Sequence, residues 1–168
     1  MAVMSSSVLG ATKPNIIVIM ADDLGYGDVS CYGTRSLKTP HIDRLATTGL
    51  KFTHCYAMPV CHPTRTCLLS GRYPRHQGNP KWGSYPRIDE SYTLAHALRS
   101  AGYRTAIAGK WQLQSYDPSD YPGSELRRGK GMQVGKAGFD EYSLWHTGHT
   151  ELKGPRYADP LILQNGRF

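Results

Sequence analysis

Residues 15–20 read Asn-Ile-Ile-Val-Ile-Met, a continuous apolar run rather than an alternating one. Such a run predicts a strand buried on both faces of a parallel sheet. Ala21, Asp22, Asp23 and a Leu24-Gly25-Tyr26-Gly27 loop follow. Two acids at the end of a buried strand, just before a glycine loop, stand where open α/β sheets place their ligand crevice. Next comes a helix with both ends marked: Thr39 as N-cap, Pro40 at its first position, Ile42, Leu45 and Ala46 on its apolar face, and Gly49 past its end. Residues 50–57 read as a second strand, and residues 63–70 as a helix that opens just after Cys61 and ends near Gly71. Ser91 is placed to cap a helix carrying Leu94, Ala97, Leu98 and Ala101, closed by Gly102, before a short strand over residues 104–108. This alternation of strands and helices predicts an α/β sheet with right-handed crossovers.

Lys110 directly follows that last strand. From residue 114 to 138 the chain turns polar and rich in Gly and Pro, which predicts a long surface loop. At the far end, residues 161–164 read as a hairpin arm, Asn165-Gly166 as its type I′ turn, and Arg167-Phe168 as the start of a second arm, so the chain is expected to stop within an element. Residues 1–12 read as either the remnant of a signal peptide or a disordered N-terminus, leaving residues 13–168 as part of one domain. Residues 1–12 lack a basic leading segment and are too short to span a bilayer. The reading leans to a periplasmic or extracellular protein, with a cytoplasmic one left open.

A chain of 168 residues with 39% hydrophobic composition is long enough to bury a core, so disorder is not the default. Its 18 Gly and 11 Pro argue for many turns rather than a helical bundle. Twenty Lys and Arg against thirteen Asp and Glu leave a formal charge of +7, which suits an anionic substrate. A part of a larger domain need not be charge-balanced, however, and no basic run or interleaved aromatic platform points to nucleic acid. Cys31, Cys55, Cys61 and Cys67 lack the spacing of a zinc knuckle, and Cys55 and Cys67 read as packed small hydrophobes. Disulfides stay open if the protein is exported.

The segment Cys61-His62-Pro63-Thr64-Arg65 with its Ser70-Gly71-Arg72 ending resembles the signature of type I, formylglycine-dependent sulfatases. Residues 15–23 resemble that family's first strand with its paired metal aspartates, and Gly109-Lys110-Trp111 resembles its second active-site motif. Phe139-Asp140-Glu141-Tyr142 and Lys153-Gly154-Pro155-Arg156-Tyr157 also look like sulfatases. The resemblance implies an α/β, alkaline-phosphatase-like fold, mostly parallel and incomplete in this chain. It further implies hydrolysis of a sulfate ester, after Cys61 is converted to formylglycine by a formylglycine-generating or anaerobic sulfatase-maturing enzyme.

By the same resemblance, the aldehyde at position 61 hydrates to a geminal diol; one hydroxyl takes the sulfuryl group and the other re-forms the carbonyl and expels sulfate. Arg65, one helical turn beyond Cys61, would stabilise the deprotonated diol, and Lys110 would contact substrate and nucleophile. Asp22 and Asp23 would hold a divalent cation, calcium by resemblance, with the residue-61 diol as a further ligand. Two carboxylates offer at most about four donors where calcium takes roughly 6–8, so residues beyond Phe168 are expected to complete the shell. The chain departs from the family at Gln112, where a histidine is usual; an amide still contacts substrate but donates no proton titrating near neutrality. Arg72 reads as complementing a helix C-terminus, and His54, His62, His76, His146 and His149 receive no role. Three other readings remain: a phosphonate or phosphodiester hydrolase using the same aldehyde, an inactive truncated fragment, and a cysteine hydrolase built on Cys61 and His62.

Overall fold

The computed structural model describes residues 13–77, 91–114, 125, 130–145 and 158–168, and the chain divides into two units, Met1–His54 and Cys55–Phe168. The readings placed on residues 1–12, on His146 and His149, on the Lys153-Gly154-Pro155-Arg156-Tyr157 stretch and on most of 115–129 lie outside the described residues.

In the first unit, helix α1 spans Pro40–Thr48, between Thr39 and Gly49 as its marked ends require. Thr39 does not cap with its side chain. Its hydroxyl instead donates to Asp43 Oδ1 (3.1 Å), while Ser30 Oγ donates to Asp43 Oδ2 (2.6 Å). These contacts tie α1 to the 3-10 turn Ser30–Tyr32. The Ser30 hydroxyl, foremost, holds the Asp43 carboxyl below the usual carboxylate range, with Thr39 adding to it. The strand expected over residues 15–20 is not formed, and Ile17 and Ile19 are 83% and 85% exposed. Among the described residues of this unit no strand lies beside the run, so its backbone has no ladder to join. The strand expected over residues 50–57 is also absent, and Phe52 stays exposed, its carbonyl accepting from the Tyr32 hydroxyl (3.0 Å).

The second unit holds helix α2 (Cys61–Ser70), helix α3 (Leu94–Ser100) and strands β1 (Ala106–Lys110), β2 (Glu141–Trp145) and β3 (Ile162–Gln164). The sheet order is β1-β2-β3, with β1 parallel to β2 in a register that pairs Lys110 with Trp145, and β3 antiparallel to β2. The class is α/β as expected, but the sheet is mixed rather than mostly parallel among the described residues. Strand β2 had no counterpart in the sequence reading. Its outward Glu141 and half-buried Tyr142, Ser143 and Trp145 show little hydrophobic alternation, and only Leu144 is fully buried. The hairpin turn is formed as expected: Asn165 and Gly166 both have positive φ (46° and 87°), and Gln164 and Arg167 exchange two backbone hydrogen bonds of 2.7 and 3.0 Å.

The core gathers Leu69 from α2, Trp111 and Leu113 after β1, Met132, Val134 and Ala137, and Leu144 from β2. Each large apolar side chain buried here contributes roughly 1.5–3 kcal/mol. Met132, Val134 and Ala137 fall within the expected surface loop 114–138; its far end is therefore core, not surface. Apolar residues spaced among glycines carry no periodic signal, and this stretch is drawn in by discrete bonds. Met132 N–H donates to the Leu113 carbonyl (2.8 Å), and the Trp111 indole N–H donates to the Met132 carbonyl (3.0 Å). Helix α3 is capped by Thr93, not Ser91. The Thr93 hydroxyl accepts from the His96 N–H (3.3 Å) and donates to the buried Ala137 carbonyl (2.6 Å), which ties the helix start to the core.

Asp140 pins the start of the parallel pair. Its Oδ2 accepts from the Thr105 N–H (2.7 Å) and hydroxyl (3.0 Å), and its Oδ1 pairs with Arg99 Nε (3.1 Å). The Thr105 backbone bond, first among these, holds the Asp140 carboxyl below its ordinary value. A depressed carboxylate stabilises the fold above its unfolded pKa, about 3.9, and that contribution is lost as pH falls through the lower folded value. The melting temperature of the wild type should therefore exceed that of Asp140→Asn at about pH 6, and the gap should close toward about pH 3. A gap constant across that range would show that the carboxylate charge is not what Thr105 and Arg99 hold.

Gly131 lies at φ +84°, where an added Cβ would sit 2.1 Å from the Leu113 carbonyl oxygen. Gly131→Ala should cost about 2–4 kcal/mol in urea unfolding, from the backbone strain and the overlap together. A loss below about 0.5 kcal/mol would mean that the 113–132 contact is not formed.

Candidate active site

Helix α2 starts at Cys61, with extended Val60 (φ −133°, ψ 153°) in the N-cap position. Pro63 fits the first turn because its missing N–H is one the helix would leave unbonded. Behind it, a column of hydroxyls folds back on the helix: Thr66 Oγ1 donates to the His62 carbonyl (2.9 Å) and Ser70 Oγ to the Thr66 carbonyl (2.6 Å). This satisfies buried polar groups on the packed face. Gly71 closes the helix at φ 65°.

Strand β1 delivers the opposite wall. Lys110 is its last residue; Trp111 follows, 1% exposed, its N–H extending the ladder to the Trp145 carbonyl (3.2 Å). With Trp111 committed to the core, Lys110 and Gln112 both approach Cys61. Lys110 Nζ donates toward Cys61 Sγ at 3.7 Å, and Gln112 Oε1 accepts from the same sulfur at 3.7 Å. Gln112 is only 5% exposed and sits at φ +51°, a conformation uncommon for a non-glycine residue. Arg65, 8% exposed, donates through Nη1 to the backbone carbonyl of Lys110. That tether from helix to strand end was not foreseen; a guanidinium bonding a main-chain oxygen leaves no mark in the sequence.

The structure thus brings together Cys61, Arg65, Lys110 and Gln112, all in the second unit. A thiol, an ammonium and an amide converge on one point, with a guanidinium bonded to the backbone beside it. A nucleophile placed at residue 61 would have a cation for an anionic substrate and an acceptor for its own proton.

Asp22 and Asp23 lie in the first unit, both exposed, with Asp23 at φ 58° in the turn after the apolar run. Adjacent carboxylates at such a turn present the hard oxygen donors that calcium or magnesium takes, so they fit as part of a cation shell. Among the described residues no group of three or more His, Cys, Asp or Glu is placed to hold a metal. The four cysteines are free thiols. Burial pushes the Cys67 thiol up, whereas Cys55 is exposed and does not pack as a small hydrophobe. Arg72 is exposed at the end of α2, its N–H donating to Ser70 Oγ (3.3 Å). No helix among the described residues is long and apolar enough to cross a membrane.

The chain is similar to several known proteins. Steryl-sulfatase of Homo sapiens is 44% identical over 116 residues, 61% of this chain and 20% of that protein. N-acetylgalactosamine-6-O-sulfatase of Bacteroides thetaiotaomicron is 49% identical over 108 residues, 60% of this chain and 21% of that protein. The chain spans about a fifth of the length of these curated relatives. Among solved structures, BT4656 in complex with its substrate D-glucosamine-2-N,6-O-disulfate superposes with a TM-score of 0.67 at 31% identity, covering 92% of this chain and 27% of that one. Ps i-CgsB in complex with a neocarrahexaose gives 0.62 at 35% identity, covering 82% and 29%. The α/β, alkaline-phosphatase-like fold implied by the motifs is the fold of these neighbours. A family model described as Sulfatase matches residues 14–165, and the chain belongs to the sulfatase family.

Proposed function

We propose that the protein carrying this chain hydrolyses a sulfate ester, with residue 61 as nucleophile once its thiol has become formylglycine. The observation that carries the reading is the convergence of Lys110 Nζ and Gln112 Oε1 on Cys61 Sγ, each at 3.7 Å. The hydrated aldehyde would supply two hydroxyls on one carbon, one to take the sulfuryl group and one to release it. Lys110 would neutralise the sulfate oxygens as a point charge and hold them against residue 61. Arg65 keeps Lys110 in place through its main-chain carbonyl and adds positive potential beside the nucleophile. Asp22 and Asp23 would hold a divalent cation, calcium by resemblance, that polarises the sulfate and acidifies the attacking hydroxyl.

The matched relatives are named for different substrates, a steroid sulfate in one case and a sulfated amino sugar in the other. A segment common to both would carry the shared sulfuryl chemistry rather than the selectivity. The maturing enzyme, formylglycine-generating or anaerobic, is the partner this reading requires.

After co-expression with the maturing enzyme, the peptide containing Cys61 should lose about 18 Da by mass spectrometry. The matured full-length protein should then cleave an aryl sulfate in preference to the matching aryl phosphonate. Turnover confined to the phosphonate, or sulfate turnover by protein that keeps its thiol, would refute the proposal. Lys110→Ala should lower kcat/KM by roughly 10²–10³. Arg65 binds the carbonyl and not the side chain of Lys110, so the helix-to-strand tether survives that change, and an unaltered melting temperature is the accompanying check.

A further inference from the structure

The position of Gln112 assigns it a task of its own, and here we rest on the proposed conversion of residue 61. We propose that Gln112 holds residue 61 as its hydrate, setting the balance between aldehyde and diol before any substrate arrives.

Conversion puts oxygen on the carbon that now bears the Cys61 sulfur, and that sulfur has a donor, Lys110 Nζ, and an acceptor, Gln112 Oε1, each at 3.7 Å. An aldehyde oxygen has lone pairs only. It accepts from Lys110 but offers nothing to the amide oxygen, leaving two acceptors face to face in a place where Gln112 is 5% exposed. The diol answers both neighbours: one hydroxyl accepts from Lys110 and an O–H donates to Oε1. The step balances with water alone, since its oxygen bonds the carbonyl carbon and the former carbonyl oxygen gains a proton, with no change in oxidation state.

The main chain at Gln112 is held on both sides. Its neighbours Trp111 and Leu113 are each 1% exposed, and they fix the main chain on both sides of a residue already at φ +51°. Being a neutral amide, it also exerts its preference without titrating near neutrality.

Full-length protein matured in the presence of [3-13C]cysteine tests this directly, because thiol, aldehyde and diol carbons give well-separated NMR signals. Wild type is expected almost wholly as diol, Gln112→Glu likewise, since it keeps the acceptor, and Gln112→Leu with the aldehyde-to-diol ratio raised roughly threefold to tenfold, the worth of one neutral hydrogen bond. A wild-type residue 61 resting mainly as aldehyde overturns the proposal without any variant. So does a Gln112→Leu ratio equal to or below that of wild type, which would mean the amide presents its NH₂ instead. A carbon signal that stays at the thiol position removes the function proposed above together with this inference, whereas an aldehyde indifferent to residue 112 removes this inference alone.

Discussion

The second unit depends on one contact between a helix and a strand end: the Arg65 guanidinium on the main-chain carbonyl of Lys110. A helix start and a strand terminus are each prone to fray, and neither alone would hold a side chain to within a few tenths of an ångström. Arg65 is nearly buried, so its charge and the carbonyl dipole meet with little water between them, where such a bond is stronger than at the surface. The bond lands on main chain rather than side chain. The ammonium of Lys110 is thereby left to approach Cys61, and Trp111 anchors the next residue in the core.

The legibility of the site was local. Cys61, Pro63 and Arg65 could be read because one helical turn fixes their spacing, and Lys110 and Gln112 because they flank a tryptophan at the end of a strand. What no spacing encodes is that these two groups meet across 49 residues of chain. Only the likeness to a known family put them together in advance. The contact between Arg65 and Lys110 is similarly silent in the sequence, because any residue offers a carbonyl.

The fold was legible where chain ends of elements carry chemistry, and opaque where burial decides. Thr39-Pro40 and Gly49 bracket α1 correctly, and Asn165-Gly166 makes its turn, because proline, glycine and asparagine act through their own backbone preferences. The runs at 15–20 and 50–57 were read as strands from side-chain type alone, yet a strand exists only where another strand accepts its hydrogen bonds. Strand β2 shows the converse: Glu141-Tyr142-Ser143-Leu144-Trp145 is unremarkable as a pattern, and the register with β1 makes it a strand. The Thr93 cap likewise bonds a carbonyl 44 residues away, a partner no local pattern marks.

The parallel pairing of β1 with β2 has a mechanical side. Lys110 and Trp145 are register partners, so β1 and β2 end together at the rim of the sheet that carries the lysine. All five rungs join strands that run the same way, so the lysine is braced from the side along the whole length of β1. A side chain at such a braced end moves with the sheet as a whole, not as the tip of a loose strand.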